Sequence, residues 1–336
     1  MTALPLCEHY DVGLFDLDGV VYSGSKAVEH AAPSIAAAQR AGMRTAYVTN
    51  NASRTPTEVV AKLEAVGVHA EVAQIITSAQ VAARVLAERL APGAPVLVVG
   101  DAGLIEAVTE AGLRPVGSAD DQPAAVVQGH SPRTGWSQLA EAIIAVRAGA
   151  LWVATNTDST IPTDRGVLAG NGAFVKVVGD VLGRAPDVVA GKPDRTMHQA
   201  SVQRTRAARP LVIGDRLDTD IEGATASGCD SLWVMTGVST PADVLHAPAE
   251  HRPTYLASDL RALARPGLAV SDAAHERAAG RWRADDDGGI IAGQEAEHDR
   301  DDHADYLTLA SALGWAGTTA TPADDAAREV AESLGL

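Results

Sequence analysis

Four short apolar runs, each closing on a knot of polar residues, constrain this chain more than any other feature. Val12-Gly13-Leu14-Phe15 ends in Asp16 and Asp18, and Ala46-Tyr47-Val48 ends in Thr49, Asn50 and Asn51. Val188-Val189-Ala190 ends in Gly191-Lys192-Pro193, and Leu211-Val212-Ile213 ends in Gly214, Asp215, Asp218 and Asp220. Apolar runs of this length bounded by turn formers read as buried strands. Helical stretches lie between them. Ala31 to Ala41 is alanine-rich and stops at Gly42, Thr55-Pro56-Thr57-Glu58 opens a second helix, and Ile75-Ile76-Thr77-Ser78 is a strand ending at a helix cap. Strand and helix in alternation predict a parallel sheet with helices on both faces. Open sheets of that kind bind ligands beyond the carboxyl ends of their strands, where all four polar knots fall. The predicted fold class is α/β, with a Rossmann-like parallel-sheet core.

Asp16 and Asp18 carry the sharpest chemical signal. Two carboxylates two residues apart at a strand end, followed by Gly19, can place one side chain and one backbone carbonyl on a single cation. Their repulsion calls for positive charge, and magnesium is the usual answer. Acidic turn residues after a strand are common without any chemistry, so this pair alone decides little. The order of all four knots decides more: nucleophile, phosphate grip, cationic clamp and metal ligand.

In that combination the sequence resembles the haloacid dehalogenase superfamily of aspartate-dependent phosphatases. Within it the chain is most similar to the nitrophenyl-phosphatase branch, which includes phosphoglycolate and glycerol-3-phosphate phosphatases. The matching residues are Asp16-Leu17-Asp18-Gly19-Val20-Val21-Tyr22, Val48-Thr49-Asn50-Asn51, Gly170-Asn171-Gly172-Ala173, Gly191-Lys192-Pro193 and Gly214-Asp215-Arg216-Leu217-Asp218-Thr219-Asp220-Ile221. They span roughly the first four-fifths of the chain and do not extend clearly into the last seventy or so residues.

The resemblance and the residue chemistry together assign roles. Asp16 is the expected nucleophile, forming an aspartyl phosphate and so splitting hydrolysis into two displacements. Asp18 is the expected general acid and base, with its backbone carbonyl on the metal. Thr49, Asn50, Asn51 and Lys192 are expected to hold the phosphoryl group, although a Thr/Asn pair after a strand is also an ordinary helix cap and a lysine before proline means nothing by itself. Asp215 is the expected further carboxylate on magnesium, Asp220 stands behind it, and Asp218 faces solvent or caps a helix. Oxygen donors without a histidine cluster or a cysteine pair favour magnesium over zinc.

A second α/β unit is predicted between the second and third knots. Pro95 to Gly100, Ala124 to Gly129 and Leu151 to Asn156 are its strands, with helices over about 102–111 and 135–148. An inserted unit of this kind implies a cap that closes over the site and selects substrate. The expected organisation is a discontinuous core over 8–78 and 188–265, the α/β cap over 79–187, and 266–336 as a small C-terminal module or a partly disordered tail. Inside the cap, the glycine-rich loop from Thr163 to Ala173 offers Arg165 and Asn171 as substrate-selecting groups; its bland reading is a surface turn. Gln128-Gly129-His130-Ser131 departs from relatives that carry an acidic residue soon after this glycine.

The expected reaction is magnesium-dependent hydrolysis of a small phosphorylated metabolite, foremost glycerol 3-phosphate. Phosphoglycolate or another small sugar phosphate is the alternative substrate, and phosphotransfer or mutase chemistry the alternative reaction. A non-catalytic phosphate-binding module would tolerate loss of Asp16 or Asp18, and both are present. The net charge of −16 argues against nucleic acid or an anionic membrane as partner. The two cysteines, Cys7 and Cys229, exclude a disulfide framework, and no apolar run reaches the length of a membrane span; the expected location is cytoplasmic, as a monomer or a homo-oligomer.

Overall fold

The computed structural model describes residues 4–163, 165–293 and 301–336. Asp164 of the cap loop and most of the acidic run from Glu295 to Asp305 lie outside them. The chain divides into two compact units, Met1–Ala46 with Thr205–Leu336, and Tyr47–Arg204. The second is wider than the 79–187 segment read from sequence.

The first unit is built on parallel strands in the order Tyr255–Ala257, Asp230–Val234, Pro210–Gly214 and Val12–Phe15. Val12–Phe15 is buried at every position, as a run without polar alternation requires. Its register places Leu14 opposite Val212 and Phe15 opposite Ile213. The Asp16 N–H then donates to the Ile213 carbonyl at 2.8 Å, which extends the pairing by one step. Two neighbouring parallel strands thus run out together, and the residues that follow them emerge side by side. The Ala31–Arg40 helix stops where the sequence indicates, at Gly42, whose φ of +101° suits glycine.

The described C-terminal residues of this unit form strands and helices. Strands Ala278–Ala279, Trp282–Ala284, Gly289–Ala292 and Thr321–Pro322 form a second sheet, antiparallel except for its last pair. Helix Asp302–Trp315 is buried continuously from Tyr306 to Leu313. Trp282, Ile290, Tyr306, Leu307 and Leu313 share one hydrophobic cluster with Leu217, Ile221, Trp233 and Val244. Pro322 follows Thr321 as a helix-opening proline would, but it pairs in a strand with Ile290. The helix begins later, at Asp325, because Asp324 accepts the Ala327 N–H at 2.7 Å and is the better cap.

The second unit holds a five-stranded parallel sheet, in the order Val188–Val189, Leu151–Ala154, Ala125–Gln128, Pro95–Val99 and Arg114–Val116. It also holds the parallel pair formed by Tyr47–Thr49 and Ile75–Thr77. Asp101 caps helix Ala102–Glu110, accepting the Ala102 N–H at 2.8 Å. Among the described residues no helix is long and apolar enough to cross a membrane.

Thr77 ends its strand and caps helix Ser78–Ala87 with a reciprocal pair. Its hydroxyl accepts the Gln80 N–H at 3.2 Å, and its own N–H donates to Gln80 Oε1 at 3.1 Å. Thr77→Ala removes one half of that box and is expected to lower stability by about 1 kcal/mol in urea unfolding. A Thr77→Ser variant should recover most of the loss.

Candidate active site

Beyond Phe15 and Gly214 the first unit gathers its carboxylates. Asp16, Asp215 and Asp220 each present an oxygen, and the three oxygens all lie within 4.8 Å of one another. Asp215 and Asp220 are fully buried, and Asp16 is half-buried. At such separations each pair of like charges costs roughly 3 kcal/mol or more with an effective dielectric of about 20. Three pairs approach the whole stability of a domain, about 5–15 kcal/mol, so the cluster calls for a cation. A compact all-oxygen donor set fits magnesium. The fit thus rests on acidic oxygens that have converged, two of them from fully buried residues, not on an acidic surface.

Local geometry fixes Asp215 closely. Its Oδ2 accepts the Val238 N–H at 2.7 Å, and its carbonyl accepts the Trp233 indole N–H at 2.9 Å and the Ser239 N–H at 3.3 Å. Glycine wraps the carboxylate on two sides. A Cβ on Gly19, where φ is +93°, would lie 2.5 Å from Asp215 Oδ2, and one on Gly237 would lie 1.9 Å from it. Gly214 is equally tight, since a Cβ there would meet the Asp220 Cβ at 2.2 Å. The Thr236 hydroxyl pins this wall by donating to the Gly19 carbonyl at 2.6 Å. Leu217–Ile221 forms a single π-helical turn, a distortion that recurs at functional sites. It carries Asp220, whose Oδ2 accepts the Arg216 N–H at 3.2 Å.

Asp18 is half-buried and is not one of the three converging carboxylates. It sits in a tight turn in which the N–H groups of Val21 and Tyr22 both donate to the Leu17 carbonyl, at 2.9 and 3.1 Å. Asp218 is half-exposed and accepts both prongs of the Arg216 guanidinium, at 3.0 and 2.8 Å. Burial pushes its carboxyl up, and Arg216 outweighs that, holding it below the usual carboxylate range.

In the second unit the residues expected to grip phosphate surround Asn50. Its side-chain carbonyl accepts the Lys192 N–H at 2.8 Å, and its Nδ2 donates to the Lys192 carbonyl at 3.0 Å. The Asn50 main-chain carbonyl accepts from the Ser78 hydroxyl and from Asn156 Nδ2, both at 2.7 Å. Lys192 is buried and donates to the Val48 carbonyl at 3.2 Å. Gly191 has no room for a side chain, because a Cβ would lie 2.4 Å from the Thr155 carbonyl oxygen and 2.6 Å from Asn50 Oδ1. The Thr49 hydroxyl accepts the Asn51 N–H at 3.1 Å, and Asn51 Oδ1 accepts from Ser53 and Arg54, at 2.9 and 3.2 Å. Asn51 therefore shapes the turn.

The two cap residues part company. Arg165 is exposed in the turn between strands Thr160–Thr163 and Gly166–Ala169. Asn171 is buried at the start of helix Asn171–Leu182, and its Nδ2 donates to the carbonyls of Asn156 and Gln128, at 2.7 and 3.2 Å. It ties the helix to two strand ends. Sequence reasoning passed over Asp158, which accepts from Asn50 Nδ2 at 3.0 Å, and the Thr236-Gly237 pair. The latter had a signal, since it follows the apolar run Leu232-Trp233-Val234 much as the other knots follow theirs.

Comparison with known proteins gives two family matches, "haloacid dehalogenase-like hydrolase" over residues 13–114 and a second hydrolase model of the same kind over 189–263. The chain is 46% identical over 286 residues to D-glycerol 3-phosphate phosphatase of Mycobacterium tuberculosis, covering 85% of this chain and 79% of that one. It is 36% identical over 258 residues to an acid sugar phosphatase of Staphylococcus aureus, covering 75% and 96%. The crystal structure of glycerol phosphate phosphatase from M. tuberculosis in complex with magnesium matches with a TM-score of 0.88 at 41% identity, over 99% of both chains.

Gly237→Ala is expected to displace the Asp215 carboxylate and to cut magnesium-dependent phosphate release at least about tenfold, the scale of losses when support behind a metal ligand fails. Magnesium titration of activity, beside a melting curve, checks this. Unchanged activity would show that the Gly237 wall does not shape the metal site.

Proposed function

The chain belongs to the haloacid dehalogenase-like hydrolases, and from that membership we propose that its magnesium-dependent phosphatase activity is directed at glycerol 3-phosphate. The observation that carries the reading is the convergence of Asp16, Asp215 and Asp220 at the ends of two adjacent strands. Bound magnesium neutralises these carboxylates and the phosphoryl oxygens they would otherwise repel.

The Asp16 carboxylate attacks phosphorus and the bond to the alcohol oxygen breaks, leaving phosphate on Asp16. Asp18 gives its proton to the departing alkoxide, then takes one from the water that releases phosphate. Asp215 and Asp220 hold the metal side, with Asp215 fixed by the Trp233 and Val238 N–H groups. Thr49, Asn50 and Lys192 bind phosphoryl oxygens, and the double bond pair between Asn50 and the Lys192 main chain sets the lysine's backbone. Phosphate contacts are common to every monoester, so selection falls to the 79–187 cap. Arg165 is the exposed polar group that supports this reading, whereas Asn171 is committed to main-chain carbonyls. Two sugar- or polyol-phosphate relatives favour a leaving group rich in hydroxyls.

The test is phosphate release across a panel of small phosphate esters, with glycerol 3-phosphate expected to give the highest kcat/KM and phosphoglycolate to trail it. Arg165→Ala should lower kcat/KM for the polyol substrate far more than for nitrophenyl phosphate, whose leaving group needs little help; equal losses would remove the cap loop from substrate selection. Asp16→Asn should cost several orders of magnitude in turnover, on the order of the ~10⁴–10⁶ seen for other covalent nucleophiles. Chelation should abolish activity, magnesium restore it and calcium inhibit, since calcium takes more oxygens in looser geometry. Full turnover in excess chelator would refute the metal-dependent mechanism.

A further inference from the structure

Trp233 is buried completely. Its Nε1–H donates to the Asp215 carbonyl at 2.9 Å. A hydrogen bond at that oxygen fixes the peptide from which the Asp215 carboxylate projects. The ring itself is packed in the cluster that holds Ile290, Tyr306, Leu307 and Leu313 of the C-terminal residues. Leu217 and Ile221, which bracket the π-helical turn carrying Asp220, lie in the same cluster.

We propose that Trp233 is a positioning residue for the metal, and that through it the C-terminal module sets magnesium affinity. This rests on Asp215 being a magnesium ligand. A backbone pinned by an indole N–H and a side chain pinned by Val238 leave the carboxylate little freedom. Metal affinity depends on that freedom, because a ligand that must be reoriented on binding binds less tightly.

The molecule supplies its own control. Trp282 is equally buried in the same cluster, and its indole N–H also donates to a main-chain carbonyl, that of Asp302 at 3.0 Å. Trp233→Phe and Trp282→Phe therefore remove the same kind of bond from the same core, and only the first bond is on a metal ligand. Magnesium alone is titrated calorimetrically into each full-length variant. Trp233→Phe is expected to weaken magnesium binding about tenfold, and Trp282→Phe less than about twofold, whatever each does to the melting temperature. Equal weakening, or none in Trp233→Phe, overturns the proposal.

A measurement on the unaltered protein stands beside the variants. With ¹⁵N-labelled tryptophan the chain gives five indole signals, assigned through the other four Trp→Phe variants if Trp233→Phe does not fold. Magnesium should shift the Trp233 indole resonance and leave that of Trp282 in place. An unmoved Trp233 signal at saturating magnesium refutes the coupling. No calorimetric binding in the unaltered protein at all would instead refute the metal assignment beneath it, which separates the two failures.

Discussion

Repulsion among three carboxylates is the constraint on which this molecule is built. Asp16, Asp215 and Asp220 would each be more stable in water than beside the others. Keeping them together requires backbone that cannot relax away from the strain. The two parallel strands supply that, since Phe15 and Ile213 are locked in register and the Asp16 N–H is bonded to the Ile213 carbonyl. Three glycines, Gly19, Gly214 and Gly237, then let main chain approach where any side chain would push the carboxylates apart. A binding site for a divalent cation follows from this arrangement rather than being added to it.

The phosphoryl grip proposed for Lys192 poses the opposite problem, which is to present positive charge without letting it wander. Lys192 is buried, and its main chain is held by both ends of the Asn50 amide. Asn50 is in turn bonded through its carbonyl to Ser78 and Asn156. A flexible surface lysine would lose several rotamers on gripping an anion; a buried one has lost them on folding. The overall charge of −16 is thus no obstacle to an anionic substrate, because the local groups decide.

Much of this was legible in the residues because parallel strands announce themselves as unbroken apolar runs. Val12–Phe15, Pro95–Val99 and Pro210–Gly214 stand where such runs predict. Helix caps were legible where cap and following residues agree, as at Thr55-Pro56-Thr57-Glu58. What escaped was anything set by tertiary approach. Gly237 looks like any turn glycine until the Asp215 carboxylate is found where its Cβ would be. Asn171 reads as a polar loop residue, and only the fold brings two strand-end carbonyls to its amide. Pro322 satisfies the rule for a helix start, yet pairing with Ile290 overrides it. The folded C-terminal sheet had no strong local pattern, because its strands are only two to four residues long.

The first unit is made from the two ends of the chain, whereas the second is a single continuous stretch. On a ribosome this sets an order of events. Val12–Phe15 leaves the exit tunnel early and must wait, apolar and unpaired on one edge, until Pro210–Gly214 has been synthesised. Tyr47–Arg204 has all its residues long before then and can fold meanwhile. Helices Asp302–Trp315 and Asp325–Ser333, which share a core with Trp233, are made later still. The acidic cluster is therefore assembled by chain segments that the whole of the second unit separates, and the interval in between is when the nascent chain is most exposed to mispairing.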